Sequence, residues 1–91
     1  MMVTVRLPGS LRSFAGNKSE CSMDGATVDE VLQNLTKQYA GLRFQLYAES
    51  GELRRFVNIF VNKDDIRGLH AGHTNVRTGD VISIIPSIAG G

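Results

Sequence analysis

Residues 2–7 alternate, with Val3, Val5 and Leu7 on one side, Thr4 and Arg6 on the other, and Pro8-Gly9 stopping the run. A period of two with one polar face predicts a half-buried strand. A connection follows through Leu11 and Phe14, with a turn signal at Gly16-Asn17. Residues 18–23 then alternate again, placing Ser19, Cys21 and Met23 opposite Lys18, Glu20 and Ser22. This predicts a second strand returning beside the first. Cys21 is expected to face the core, where a buried thiol behaves as a small hydrophobe.

The period changes at Thr27. Thr27-Val28-Asp29-Glu30 has the form of a capping box, in which the Thr27 hydroxyl accepts a backbone N–H and Glu30 reaches back to the Thr27 N–H. Val28, Val31, Leu32, Leu35 and Tyr39 then fall on one helical stripe, away from Asp29, Gln33 and Lys37, and Gly41 is a natural stop. One long amphipathic helix over 27–41 is predicted, lying across a sheet. A short turn of helix at 42–46 and an exposed loop at 49–52 come next.

The clearest strand is 56–62, with Val57, Ile59 and Val61 facing one way and Phe56, Asn58, Phe60 and Asn62 the other. Lys63-Asp64-Asp65 reads as a turn. An irregular stretch through Gly68, Gly72 and Thr78-Gly79-Asp80 follows, with a short edge strand near Ile66. Residues 81–85 are mostly apolar on both faces, as expected of an interior strand, and Pro86 ends its ladder of donors.

Strand, strand, helix, strand, short strand, strand is an α+β order: a mixed sheet with one long helix packed across one face. The right-handed crossover rule leaves few topologies. The β-grasp of ubiquitin leads them, with the last strand beside the first; a ferredoxin-like fold needs two long helices. At 91 residues there is room for one domain. It is expected over 1–86, with 87–91 as a flexible C-terminal tail.

Composition narrows the function classes. A formal charge of +1 offers no overall cationic field, so neither nucleic acid nor a membrane surface is an expected partner. One cysteine excludes an internal disulfide, and Arg6 and Arg12 interrupt any apolar leader, which reads as a cytoplasmic protein. His70 and His73 lie in a glycine-rich loop without further ligands at zinc spacing, so no metal site is expected. Asp64-Asp65 sits beside Lys63 and Arg67, where solvation is expected to keep the carboxyls ordinary. With no phosphate loop, nucleophile elbow or Cys/His pair, the chain does not read as an enzyme in its own right.

The unusual segment is 81–91, which carries no charged side chain and ends Ile88-Ala89-Gly90-Gly91. Five extended residues beyond Pro86 reach about 17 Å, and two terminal glycines present no Cβ to a narrow channel. The α-carboxylate at its tip, ionised at neutral pH, acylates poorly until adenylation by ATP gives it a leaving group. A sulfur nucleophile then yields a thiocarboxylate; a thiol or an amine yields a thioester or an amide. Carrier, covalent modifier and non-covalent adaptor with an incidental tail all stay open on these grounds.

The Val3-Thr4-Val5 strand, the 27–41 helix, Arg55-Phe56-Val57-Asn58-Ile59-Phe60-Val61-Asn62, Gly79-Asp80 and the terminal Ala89-Gly90-Gly91 together resemble the ubiquitin-like sulfur carriers of the MoaD/ThiS superfamily. The extra length between Gly41 and Phe56 is most similar to CysO-like members. The resemblance implies that Gly91 is adenylated by an E1-like enzyme and converted to a thiocarboxylate that donates sulfur, first of all in cysteine biosynthesis. It implies no bound cofactor, the ATP being consumed by the activating partner. The implied sulfur acceptor is an enzyme such as a cysteine synthase. Alternatives are a MoaD-like small subunit serving a molybdopterin synthase large subunit, and a modifier conjugated to lysine. Gly90, Ala89 and Ile88 would enter the partner's site with Gly91. Phe60, opposite Ile59, is either an exposed anchor for a partner or a packed residue.

Overall fold

The computed structural model describes residues 1–86. Its strands are β1 (Met2–Arg6), β2 (Glu20–Asp24), β3 (Val57–Val61), β4 (Asp64–Asp65) and β5 (Val81–Pro86); its α-helices are α1 (Val28–Gln38) and α2 (Ala40–Leu46). The sheet order is β2-β1-β5-β3-β4. β5 runs parallel to β1 and antiparallel to β3, and the other neighbours are antiparallel. This is the mixed β-grasp sheet, with the last strand in the middle.

Alternation places the core. Val3 and Val5, Cys21 and Met23, Val57, Ile59 and Val61, and Ile82 and Ile84 all turn to one face, beneath fully buried Val31, Leu32 and Leu35 of α1. Cys21 is buried as expected. The Thr27 hydroxyl caps α1 by accepting from the Glu30 N–H at 3.2 Å. The return bond falls one residue earlier than the sequence suggested: the Ala26 N–H, not that of Thr27, donates to Glu30 Oε1 at 3.3 Å.

The single long helix is divided. α1 stops at Gln38, Tyr39 breaks the backbone at φ −123 and ψ 83, and Gly41 lies inside α2 rather than ending a helix. Length explains the break. Eleven helical residues cover about 16 Å, roughly the span of a five-residue strand, so a continued helix would overrun the sheet. α2 instead turns onto the 3-10 helix Gly9–Ala15, burying Leu42 and Leu46. A Cβ on Gly41 would stand 3.1 Å from Phe14 Cδ1, so this close approach suits glycine.

The polar turn also shifts. Asn62-Lys63 makes the hairpin, Asp64 and Asp65 form the short edge strand, and Ile66–Gly68 is a 3-10 turn. Asn62 adopts φ 57, a conformation asparagine tolerates. Its N–H donates to the Val81 carbonyl at 2.7 Å, its Oδ1 accepts from the Val81 N–H at 3.0 Å, and its Nδ2 donates to Asp80 Oδ1 at 3.2 Å. Asn62→Ala removes both side-chain bonds and keeps the left-handed backbone. A loss of about 2 kcal/mol is expected in urea unfolding, with Asn62→Gly recovering the backbone share.

Candidate functional site

The face of the sheet away from α1 carries Thr4 and Arg6 from β1, Ser83 and Ile85 from β5, and Asn58 and Phe60 from β3. Pairing of Phe60 with Ser83 and Asn58 with Ile85 sets Phe60 and Ile85 diagonally across β3 and β5, within reach of each other. Phe60 is half-buried, and Ile85 is 48% exposed one residue before Pro86. Its intermediate burial leaves both readings of Phe60, exposed anchor or packed residue, open. The structure thus sets an apolar pair on the open face at the root of the terminal segment.

A polar clamp borders this pair. Asp65 is opposite Phe60 on β4 and accepts from the Arg67 side chain at 2.8 Å. The same guanidinium donates to Asn58 Oδ1. That hydrogen bonding holds the Asp65 carboxyl below its ordinary range and raises Arg67. The expectation of an ordinary pKa at this pair is therefore corrected for Asp65. A carboxyl moved downward is less suited to accept or deliver protons near neutrality, so the clamp acts as an orienting element.

On the other side of β5, β1 ends at Arg6 while β5 continues, because Pro8 turns the chain into the 3-10 helix. The cleft left there is lined by Arg6, Leu7, Arg12, Ser83 and Ile85 among others. Arg6 is held by Glu20 at 3.0 Å and Arg12 by the Leu7 carbonyl at 3.2 Å. Ile88, Ala89, Gly90 and Gly91 lie outside the described residues. Among the described residues, no group of three or more His, Cys, Asp or Glu is placed to hold a metal ion. No described helix is long and apolar enough to cross a membrane.

Ile85, Arg12 and Arg67 were missed in the sequence. Residues 81–85 read as buried on both faces because composition cannot tell a strand flanked by strands from one covered by two layers. The signal for Ile85 was its parity with Ser83, opposite the core-facing Ile82 and Ile84.

A β-grasp sheet with its central strand ending at Pro86 defines the ubiquitin-like class. Within it the chain belongs to the ThiS family, whose profile matches residues 5–91. It is similar to the sulfur carrier protein CysO of Mycobacterium tuberculosis, at 39% identity over 93 residues covering all of both chains. It is also similar to the small archaeal modifier protein 3 of Haloferax volcanii, at 34% identity over the same full coverage. Among solved structures, a chain in the crystal structure of the Amycolatopsis orientalis BexX/CysO complex superposes with a TM-score of 0.88 at 36% identity, covering 98% of this chain and 99% of that one.

Proposed function

We propose that the protein is a sulfur carrier, a co-substrate rather than a catalyst, whose Gly91 carboxylate bears the sulfur. The observation that carries this reading is a ThiS-family match running through the terminal Gly90-Gly91, on a fold whose central strand leads directly into that segment. The 1–86 domain is the handle and 87–91 the tail. An E1-like partner joins the carboxylate to the α-phosphorus of ATP and releases pyrophosphate. Hydrosulfide, as the sulfur nucleophile, then attacks the acyl carbon and expels AMP; its proton passes to solvent, leaving the thiocarboxylate. Nucleotide and catalytic base belong to the partner, which agrees with the carrier's lack of an enzyme constellation in its sequence. The similarity to a CysO favours an acceptor in cysteine biosynthesis, such as a cysteine synthase, with the molybdopterin synthase large subunit as the alternative. We place this exchange in the cytoplasm.

Incubation with the cognate activating enzyme, ATP and a sulfur source is expected to add about 16 Da to the intact mass, oxygen being replaced by sulfur. An unchanged mass with an active partner sinks the reading. The likeness to a small archaeal modifier favours a second use of the same activated carboxylate, an isopeptide bond to lysine. Gly-Gly remnants on lysines after proteolysis of cell extracts test for it.

Phe60 and Ile85 serve as the anchor beside the tail. Phe60→Ala is expected to weaken binding to the activating enzyme by roughly tenfold or more, as for a central aromatic contact, at a cost near 1 kcal/mol in stability. Calorimetric titration of both proteins against the same enzyme checks this, and equal affinities remove Phe60 from the interface.

A further inference from the structure

A net charge of +1 conceals a division of charge by ends. β1 and β5 begin at one end of the molecule, and β5 finishes at Pro86 at the other. At the Pro86 end, Arg6 and Arg12 line the cleft beside Ser83 and Ile85. The Arg54 carbonyl accepts from the Val57 N–H, and Val57 is the register partner of Pro86. Arg55 follows, and the Arg54 side chain donates to the Phe44 carbonyl at 3.0 Å, bringing Arg43 to the same end. Glu20, Glu49 and Glu52 share this end, and Glu20 is already bound to Arg6. Arg12, Arg43, Arg54 and Arg55 make no ion pair among the described residues.

The opposite end leans acidic. Asp24 ends β2 beside Met2 and pairs with the N-terminal ammonium, Asp80 precedes β5 and accepts from the Arg77 N–H, Asp64 follows Lys63 of the hairpin, and Glu30 opens α1. A five-residue strand separates the two ends by about 17 Å, twice the screening length of about 8 Å at physiological salt. The far carboxylates therefore do not cancel the arginines for a molecule arriving at the Pro86 end; Asp29, which lines the cleft of Arg43 and Arg54, is offset there by Lys37.

We infer that the arginine-rich end around Pro86 is a docking surface for the acidic rim of a partner protein's active-site channel, steering residues 87–91 into it. This rests on the carrier reading above. The cations stand on the β1 side, the β3 side and the α2 side of the end of β5, encircling the root of the tail. A nucleic-acid groove would instead align them along a backbone track. Exposed Phe44, Phe56 and Ile85 lie among them, the mixture of apolar and arginine contacts found in protein interfaces.

Stopped-flow association with the purified E1-like enzyme of the same organism tests the inference, at about 30 mM and about 300 mM salt. Arg43→Glu/Arg55→Glu is expected to associate at least tenfold more slowly than wild type at low salt, the gap narrowing at high salt, with dissociation little changed. Arg55→Glu alone, which disturbs no hydrogen bond of the fold, is expected to give about a threefold effect. Asp64→Lys, at the far end, is expected to match wild type. Wild-type adenylation with equal association rates in all variants overturns the steering and leaves the carrier reading standing. A wild type that the enzyme neither binds nor adenylates overturns both. A fluorescent single-stranded RNA retained by wild type and released by the double variant overturns the acidic partner in favour of nucleic acid.

Discussion

Deletion of Gly90 and Gly91 is expected to abolish thiocarboxylate formation completely while leaving the thermal midpoint within about 2 °C of wild type. The two halves of this expectation have separate causes. Ile84 is the last buried apolar residue among those described, so the core closes before the tail begins. The truncated chain would end in Ala89, two residues short. Its carboxylate would stand about 7 Å back from the phosphorus it must meet, a displacement that no rotamer in the partner can recover. Gly91→Val separates reach from width: it keeps the length and adds a branched Cβ at the reacting end, so slow adenylation with unchanged folding is expected. Intact mass and pyrophosphate release measure both variants. Wild-type turnover by the truncated chain would remove Gly91 as the reacting residue.

Much of the fold was legible because its core is written in simple periods. Val57, Ile59 and Val61 declare a strand face, and Thr27 with Glu30 announces a helix start; both are local facts, and the structure keeps them. What the sequence misplaced depends on distance. The end of α1 is set by the width of the sheet beneath it, which Leu42 and Leu46, lying in phase with the same stripe, could not reveal. The shift of the Glu30 bond to Ala26 is a single-residue matter of loop geometry. The terminal segment stands out in the sequence alone, since absence of charge and terminal glycines require no partner to be seen, and it lies outside the described residues. The arginine ring was illegible for the opposite reason: Arg6, Arg12, Arg43 and Arg54 come from four separate segments, and strand register, the cleft beside β5 and the Arg54–Phe44 hydrogen bond together gather them toward Pro86.

Gly25→Ala is expected to destabilise the protein by about 3 kcal/mol, a large part of the roughly 5 to 15 kcal/mol available to a domain of this size. Gly25 links β2 to α1 and is buried, with its N–H donating to the Met1 carbonyl at 3.0 Å. A Cβ there would lie 2.6 Å from Val31 Cγ2 and 2.8 Å from the Val31 backbone N. A side chain alone can turn aside, but the backbone nitrogen belongs to the helix, and Val31 is fully buried. Relief then requires α1 to lift from the sheet, loosening Val28, Leu32 and Leu35 together. A fall in thermal midpoint of roughly 12 to 20 °C follows, while Gly9→Ala, with open space around its Cβ, is expected to move it little. Below its own midpoint, folded Gly25→Ala should still gain sulfur at the wild-type rate, because α1 lies on the face of the sheet opposite Phe60 and Ile85. Loss of chemistry in the folded variant would mean that the activating enzyme contacts the helix face as well.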